Sequence, residues 1–176
     1  MSQLRTRYGK IERLVGSLLS ENSITRPPVP VDKLVKKVGI NLKHGDLGDV
    51  SGLLVRYAAG ATIGVNDVHL KERQRFTIAH EFGHYLLHQG IAAHYDRNYR
   101  INLRSHVSSQ ATDVEEIEAN FFAASLLMPR AFLDEDKAID ALDDDVGVAA
   151  LAKRYNVSRH AMSLRLANVY GDHRPF

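Results

Sequence analysis

The sequence predicts an α+β fold: a small antiparallel sheet packed on one long central helix, with mostly helical surroundings and a helix pair at the C-terminal end. Three observations carry this. Apolar residues recur at helical spacing in most long segments. The β-like pieces are only three, all short, and confined to residues 40–65, which favours a small sheet over a sandwich. The 176 residues suffice for one substantial core, with 44% hydrophobic and 25% charged residues as in ordinary soluble globular chains.

The elements follow in order. Leu4, Tyr8, Ile11, Leu14, Val15, Leu18 and Leu19 place an amphipathic helix over residues 3–21. Arg26-Pro27-Pro28-Val29-Pro30 ends it, because proline removes a donor and disfavours helix just upstream. A short helix from Val31 to Lys37 follows, with Gly39 near its end. Strands are expected at Ile40–Lys43, Ser51–Arg56 and Ala61–Val65, the last two joined as a hairpin through Tyr57-Ala58-Ala59-Gly60. Residues 71–88 form the central helix. From Ile91 to Gln110 the chain is polar and without helical period, with Tyr99–Leu103 as a possible strand; so long a loop is more often functional than idle. Thr112 and Glu115 fit a capping box that starts a helix running to Leu127, closed by Pro129. After the acidic stretch Asp134–Asp145, Val148–Tyr155 and Ser158–Val169 read as two helices. The domain division expected is 1–30, an N-terminal helix and proline-rich connection; 31–133, the core; and 134–176, a helix-turn-helix-like segment packed on it.

Chemistry concentrates at His80-Glu81-Phe82-Gly83-His84. Residues four apart on a helix differ by about 40° around its axis, so His80 and His84 project to one side. Two imidazoles placed so can reach one Zn²⁺ at about 2.0–2.1 Å each. Glu81 points about 100° away, beside the ion, which suits a general base for the attacking water. The chain has no cysteine, so a metal must take nitrogen and oxygen ligands, and nine histidines are available.

A catalytic site needs a third protein ligand and an open position. The extension that would supply a third histidine is ruled out by Leu87 and Gly90. The acidic run Asp113–Glu118 is the place to look. Glu115 belongs to the capping box, and Glu116 has Thr112, Asp113 and Asn120 as helical neighbours, a wet face. Glu118 has Val114, Phe121 and Phe122 at contact spacing. An unpaired carboxylate there costs several kcal/mol or protonates, and a metal resolves the conflict, so Glu118 is the expected third ligand. His88 is expected at the helix C-terminus, in the ordinary role of a last-turn histidine. One of His94, Tyr95, Tyr99 or His106 could stabilise an oxyanion.

Two blocks, Arg73–His88 around the histidine motif and Glu118–Pro129, together resemble the ImmA/IrrE family of metallopeptidases. Ser51-Gly52 and Ile63–Asn66 look like that family's hairpin, and Leu151–Leu166 like its closing helices. The likeness covers about residues 30–170. It implies a zincin-like core with His80, His84 and Glu118 on zinc and Glu81 as base. It also implies a regulatory endopeptidase that cuts a specific protein such as a helix-turn-helix repressor. Phe82 departs from the usual Leu without consequence. Zinc is the default for such a site, and manganese fits nearly as well.

Other features bound the setting. Met1–Lys10 is polar, lacks a signal core, and no apolar run approaches membrane-spanning length, so a cytoplasmic protein without membrane attachment is expected. A formal charge of +2 does not by itself imply nucleic-acid binding. Residues 148–169 do fit a helix-turn-helix with Lys153, Arg154, Arg159, His160 and Arg165. Packing accounts for most of the apolar positions there, which favours structural or substrate-docking use over direct DNA binding. The competing function is a non-proteolytic metal-containing regulator, or toxin-antitoxin component, that binds DNA or a repressor.

Overall fold

Ile11, Val15 and Leu19, four apart, are the buried stripe of the first helix, α1 (Tyr8–Glu21). The computed structural model describes residues 6–89, 93–96 and 110–171, with the backbone alone at 93–96 and 110–113. After α1 come α2 (Val31–Lys37), β1 (Ile40–Gly45), β2 (Gly52–Tyr57), β3 (Gly60–Asn66) and α3 (Lys71–Leu87). Then follow β4 (Ala93–Asp96), α4 (Gln110–Leu127), α5 (Arg130–Glu135), a 3₁₀ turn Ala138–Ala141, α6 (Asp145–Tyr155) and α7 (Arg159–Tyr170).

The expected hairpin forms, with Tyr57 opposite Gly60 and a two-residue connection. The sheet is not wholly antiparallel, however. Its order is β1-β3-β2-β4, and β1 runs parallel to β3. Residues 46–51 carry the chain over the end of the sheet, so β2 returns one place away and β3 fills the gap between. Buried Asn66 staples this crossing: its side-chain amide donates to the carbonyls of Gly48 and Val50, each at 2.9 Å. Ala61–Val65 therefore offers no edge for an added strand, because β3 is paired on both sides. Among the described residues the outer strands are β1 and β4. β4 lies in the stretch read as loop and pairs antiparallel with β2; the proposed strand Tyr99–Leu103 lies outside the described residues. Helix α4 spans Gln110–Leu127, so Thr112 lies within it, and the Thr112 side chain of the expected capping box lies outside the described residues.

The central helix is squeezed from both sides at glycines. A Cβ on Gly83 would meet Phe122 Cδ1 at 3.0 Å and the Ala119 carbonyl oxygen at 3.3 Å, so α3 and α4 touch almost backbone to backbone. A Cβ on Gly52 would lie 2.2 Å from Thr77 Cγ2 and 3.5 Å from Glu81 Cγ, so β2 presses on α3 beside Glu81. The buried core includes Ile63, Ile78, Phe82, Phe122 and Leu126.

The last two helices carry good caps. Asp144 accepts from the N–H groups of Val146 and Gly147, Ser158 accepts from Ala161 N–H, and Asn156 closes α6 with φ 55°. Side chains tie the pair to the rest. Buried Arg165 donates to the Met128 carbonyl, and Arg75 on α3 donates to the Asn156 carbonyl. Arg154 and Tyr155 both donate to Asp136. Arg165 is thus an inward-facing packing residue, not the surface cation the helix-turn-helix reading used; burial lowers its pKa to about 10. A recess of about 960 Å³ lies between the start of α3 and the α6–α7 corner, lined by Leu70, Arg73, Phe76, Lys153, Arg159 and His160 among others. Among the described residues no helix is long and apolar enough to cross a membrane.

Candidate metal centre

Helical spacing brings His80 and His84 to one face of α3, where both are buried and their Nε2 atoms lie 3.1 Å apart. From α4, Glu116 faces them, one carboxylate oxygen 3.4 Å from His80 Nε2 and the other 3.2 Å from His84 Nε2. The three residues offer donor atoms all within 4.8 Å of one another. Tetrahedral bonds of about 2.0–2.1 Å place ligand atoms about 3.3–3.4 Å apart, close to these separations. The set therefore fits a metal ion in both chemistry and size. The Glu116 side chain is 38% exposed, so one flank of the group is open, as a site that must admit substrate requires. One turn along α4, Asn120 Oδ1 lies 2.9 Å from His80 Nδ1, the ring nitrogen turned away from the group.

Glu118, the ligand expected from sequence, lies in a different set. Its carboxylate is buried, but Arg7 meets it: the Arg7 backbone N–H donates to Oε1 at 2.8 Å, and the guanidinium donates to both oxygens. His88 Nε2 lies 3.1 Å from Glu118 Oε2. Burial alone would raise the Glu118 pKa, but the hydrogen bonds from Arg7 and His88 bring it down to about 2. The conflict that a metal was expected to resolve is resolved by an arginine. His88 likewise turns inward instead of serving the helix C-terminus, with its Nδ1 3.1 Å from His84 Nδ1.

Glu81 sits between its two histidines in sequence and is fully buried, with Gly52 against its Cγ. The C-terminal end of α3 is held by Arg56 on β2, whose guanidinium donates to the His84 and Tyr85 carbonyls at 2.9 and 3.0 Å. Of the oxyanion candidates, Tyr99 and His106 lie outside the described residues, and only the backbone of His94 and Tyr95 is described. Sequence reasoning did not bring Glu116 and Asn120 beside the histidines, as the structure does. Their four-residue spacing matches that of His80 and His84, and that matched pair of faces was the available signal.

Comparison with known proteins gives the family. A peptidase family model described as the IrrE N-terminal-like domain matches residues 35–167. A Mycobacterium tuberculosis transcriptional regulator is similar in fold, with a TM-score of 0.59 at 16% identity. The similarity covers 90% of this chain and 46% of that protein, so the chain spans under half of its length. Among curated proteins, none matches. With a family match over well more than half the chain and a histidine–carboxylate group at its centre, the chain belongs to the ImmA/IrrE family of metallopeptidases.

Proposed function

We propose that the protein is a zinc-dependent endopeptidase of the cytoplasm that cleaves a specific regulatory protein, such as a helix-turn-helix repressor. The observation that carries this is the triangle of His80, His84 and Glu116, with Glu81 adjacent to it on the same helix. His80, His84 and Glu116 would hold the ion, in place of Glu118. When bound there, zinc supplies a Lewis acid for the scissile carbonyl and lowers the pKa of the attacking water. Glu81 takes the proton from that water and delivers it to the leaving amine. Its rigid seat against Gly52 keeps the carboxylate oriented between the two steps. Substrate is taken up as an added strand on the outer side of β4, one strand beyond Gly52. Glu81→Gln should keep stoichiometric zinc and lose cleavage of a co-expressed repressor by about 10²–10⁴-fold. Purified wild-type protein that takes up no metal, or undiminished cleavage by Glu81→Gln, overturns the reading.

A second reading, a non-proteolytic regulator that contacts DNA, draws on the α6–α7 corner. The geometry favours it less. Arg159 and His160 are exposed and line the recess beside α3, but Arg165, a third cation of that reading, is buried and bonded to Met128. Salt-dependent promoter binding that is lost when Lys153 and Arg159 are neutralised, and kept in Glu81→Gln, would favour this regulator instead.

A further inference from the structure

The geometry points to a second layer around the metal centre in which Arg7, Glu118 and His88 are positioning residues that fix His84 for its ion. This rests on the metal-centre reading above. His84 turns Nε2 toward His80 and Glu116, so that nitrogen must keep its lone pair for the ion, and the ring proton sits on Nδ1. The Nδ1–H then faces His88 Nδ1 at 3.1 Å, which must accept. His88 therefore carries its own proton on Nε2, which donates to Glu118 Oε2 at 3.1 Å. An ionised carboxylate only accepts and a guanidinium only donates, so the line closes on Arg7 in a single permitted direction. The other His88 tautomer would set two N–H groups against each other and a lone pair against a carboxylate. His88 is 5% exposed and Glu118 1%, which shields the line from competing water.

The two ligand histidines are thus served by one helix at two depths. Asn120 takes the Nδ1–H of His80 directly, whereas Glu118 reaches His84 only through His88. A carboxylate behind an imidazole makes the ligand nitrogen more basic and holds its ring angle. The buried Glu118 is therefore tied to the ion without touching it, and Arg7, just before α1, takes part in metal affinity.

The test uses the full-length chain, with zinc affinity read by competition against a chromophoric chelator, independently of proteolysis. His88→Leu should weaken zinc by about 10–100-fold. His88→Gln should recover most of this, because its amide oxygen accepts from His84 and its amide nitrogen donates to Glu118. Arg7→Ala, at a side chain 41% exposed, should weaken zinc in the same direction even if His88→Leu fails to fold. In the zinc-loaded protein, the hydrogen-bonded Nδ1–H signal of His84 should persist in His88→Gln and shift in Arg7→Ala, a change that general loss of stability would not produce. Wild-type affinity in Arg7→Ala and His88→Leu, or a His88→Gln no better than His88→Leu, overturns the inference alone. A wild-type chain that binds no zinc overturns the metal centre as well.

Discussion

Two positions separate Glu116 from Glu118 on α4, a rotation of about 200°, and that rotation decides which carboxylate meets the histidines of α3. Burial alone singles out the carboxylate that most needs a partner. It is blind to two things here. A catalytic ion lies at an open cleft, so its ligand can be as exposed as Glu116 is, at 38%. The partner of the buried carboxylate, Arg7, is 111 positions away and leaves no trace in the local helical pattern. The opposed roles predict opposed mutants. Glu116→Ala should lose bound zinc on gel filtration, while Glu118→Gln should still bind it, more weakly. Asn120→Ala should cost about tenfold in zinc affinity through the loosened His80 ring, measurable by chelator competition. The approach of His80 to His84 was legible because a four-residue spacing reports directly on one helix face; which carboxylate faces them was not, because that depends on which face of α4 meets α3.

At the level of elements, helices were legible wherever apolar residues keep a 3.6 period, and α2, α3 and α7 begin and end close to their expected bounds, while α6 starts earlier, at Asp145. Strand pairing was legible only at the β2–β3 hairpin: β4 is only four residues long, and parallel pairing of β1 with β3 depends on a crossing held by Asn66. The packing of β2 on α3 yields a sharp expectation. Thr77 is buried and β-branched, so it has little room to yield to a Cβ 2.2 Å away. Gly52→Ala should lower stability by about 1–3 kcal/mol in urea unfolding and reduce cleavage by displacing Glu81. Adding Thr77→Ala removes the clashing methyl and should restore much of both.

The whole molecule couples these parts. Metal binds only the folded arrangement of α3 and α4, so zinc at 1,000 times its dissociation constant should add about 4 kcal/mol, seen as a chelator-sensitive rise in Tm. Acid stability should involve the far end of the chain. Hydrogen bonds from Arg154, and then Tyr155, outweigh burial and hold the Asp136 carboxyl below its ordinary 3.8. A carboxyl depressed on folding stabilises fully above 3.8 and loses that contribution as pH falls through its folded value. Asp136→Asn should therefore flatten the acid limb of a stability–pH profile below pH 4 and leave its neutral shape unchanged.

The docking of α1 on α4, with Tyr8 edge-on to Phe121 at 4.6 Å and Arg7 on Glu118, has a consequence for how the chain is made. A ribosome delivers the first helix long before the fourth, and α1 must wait with its apolar stripe uncovered until the partner emerges. Both histidines are also synthesised before Glu116. A nascent or truncated chain ending before α4 thus carries His80 and His84 without Glu116, and an undocked first helix. A chain terminated before α4 should bind zinc far more weakly than the whole, as chelator competition would show.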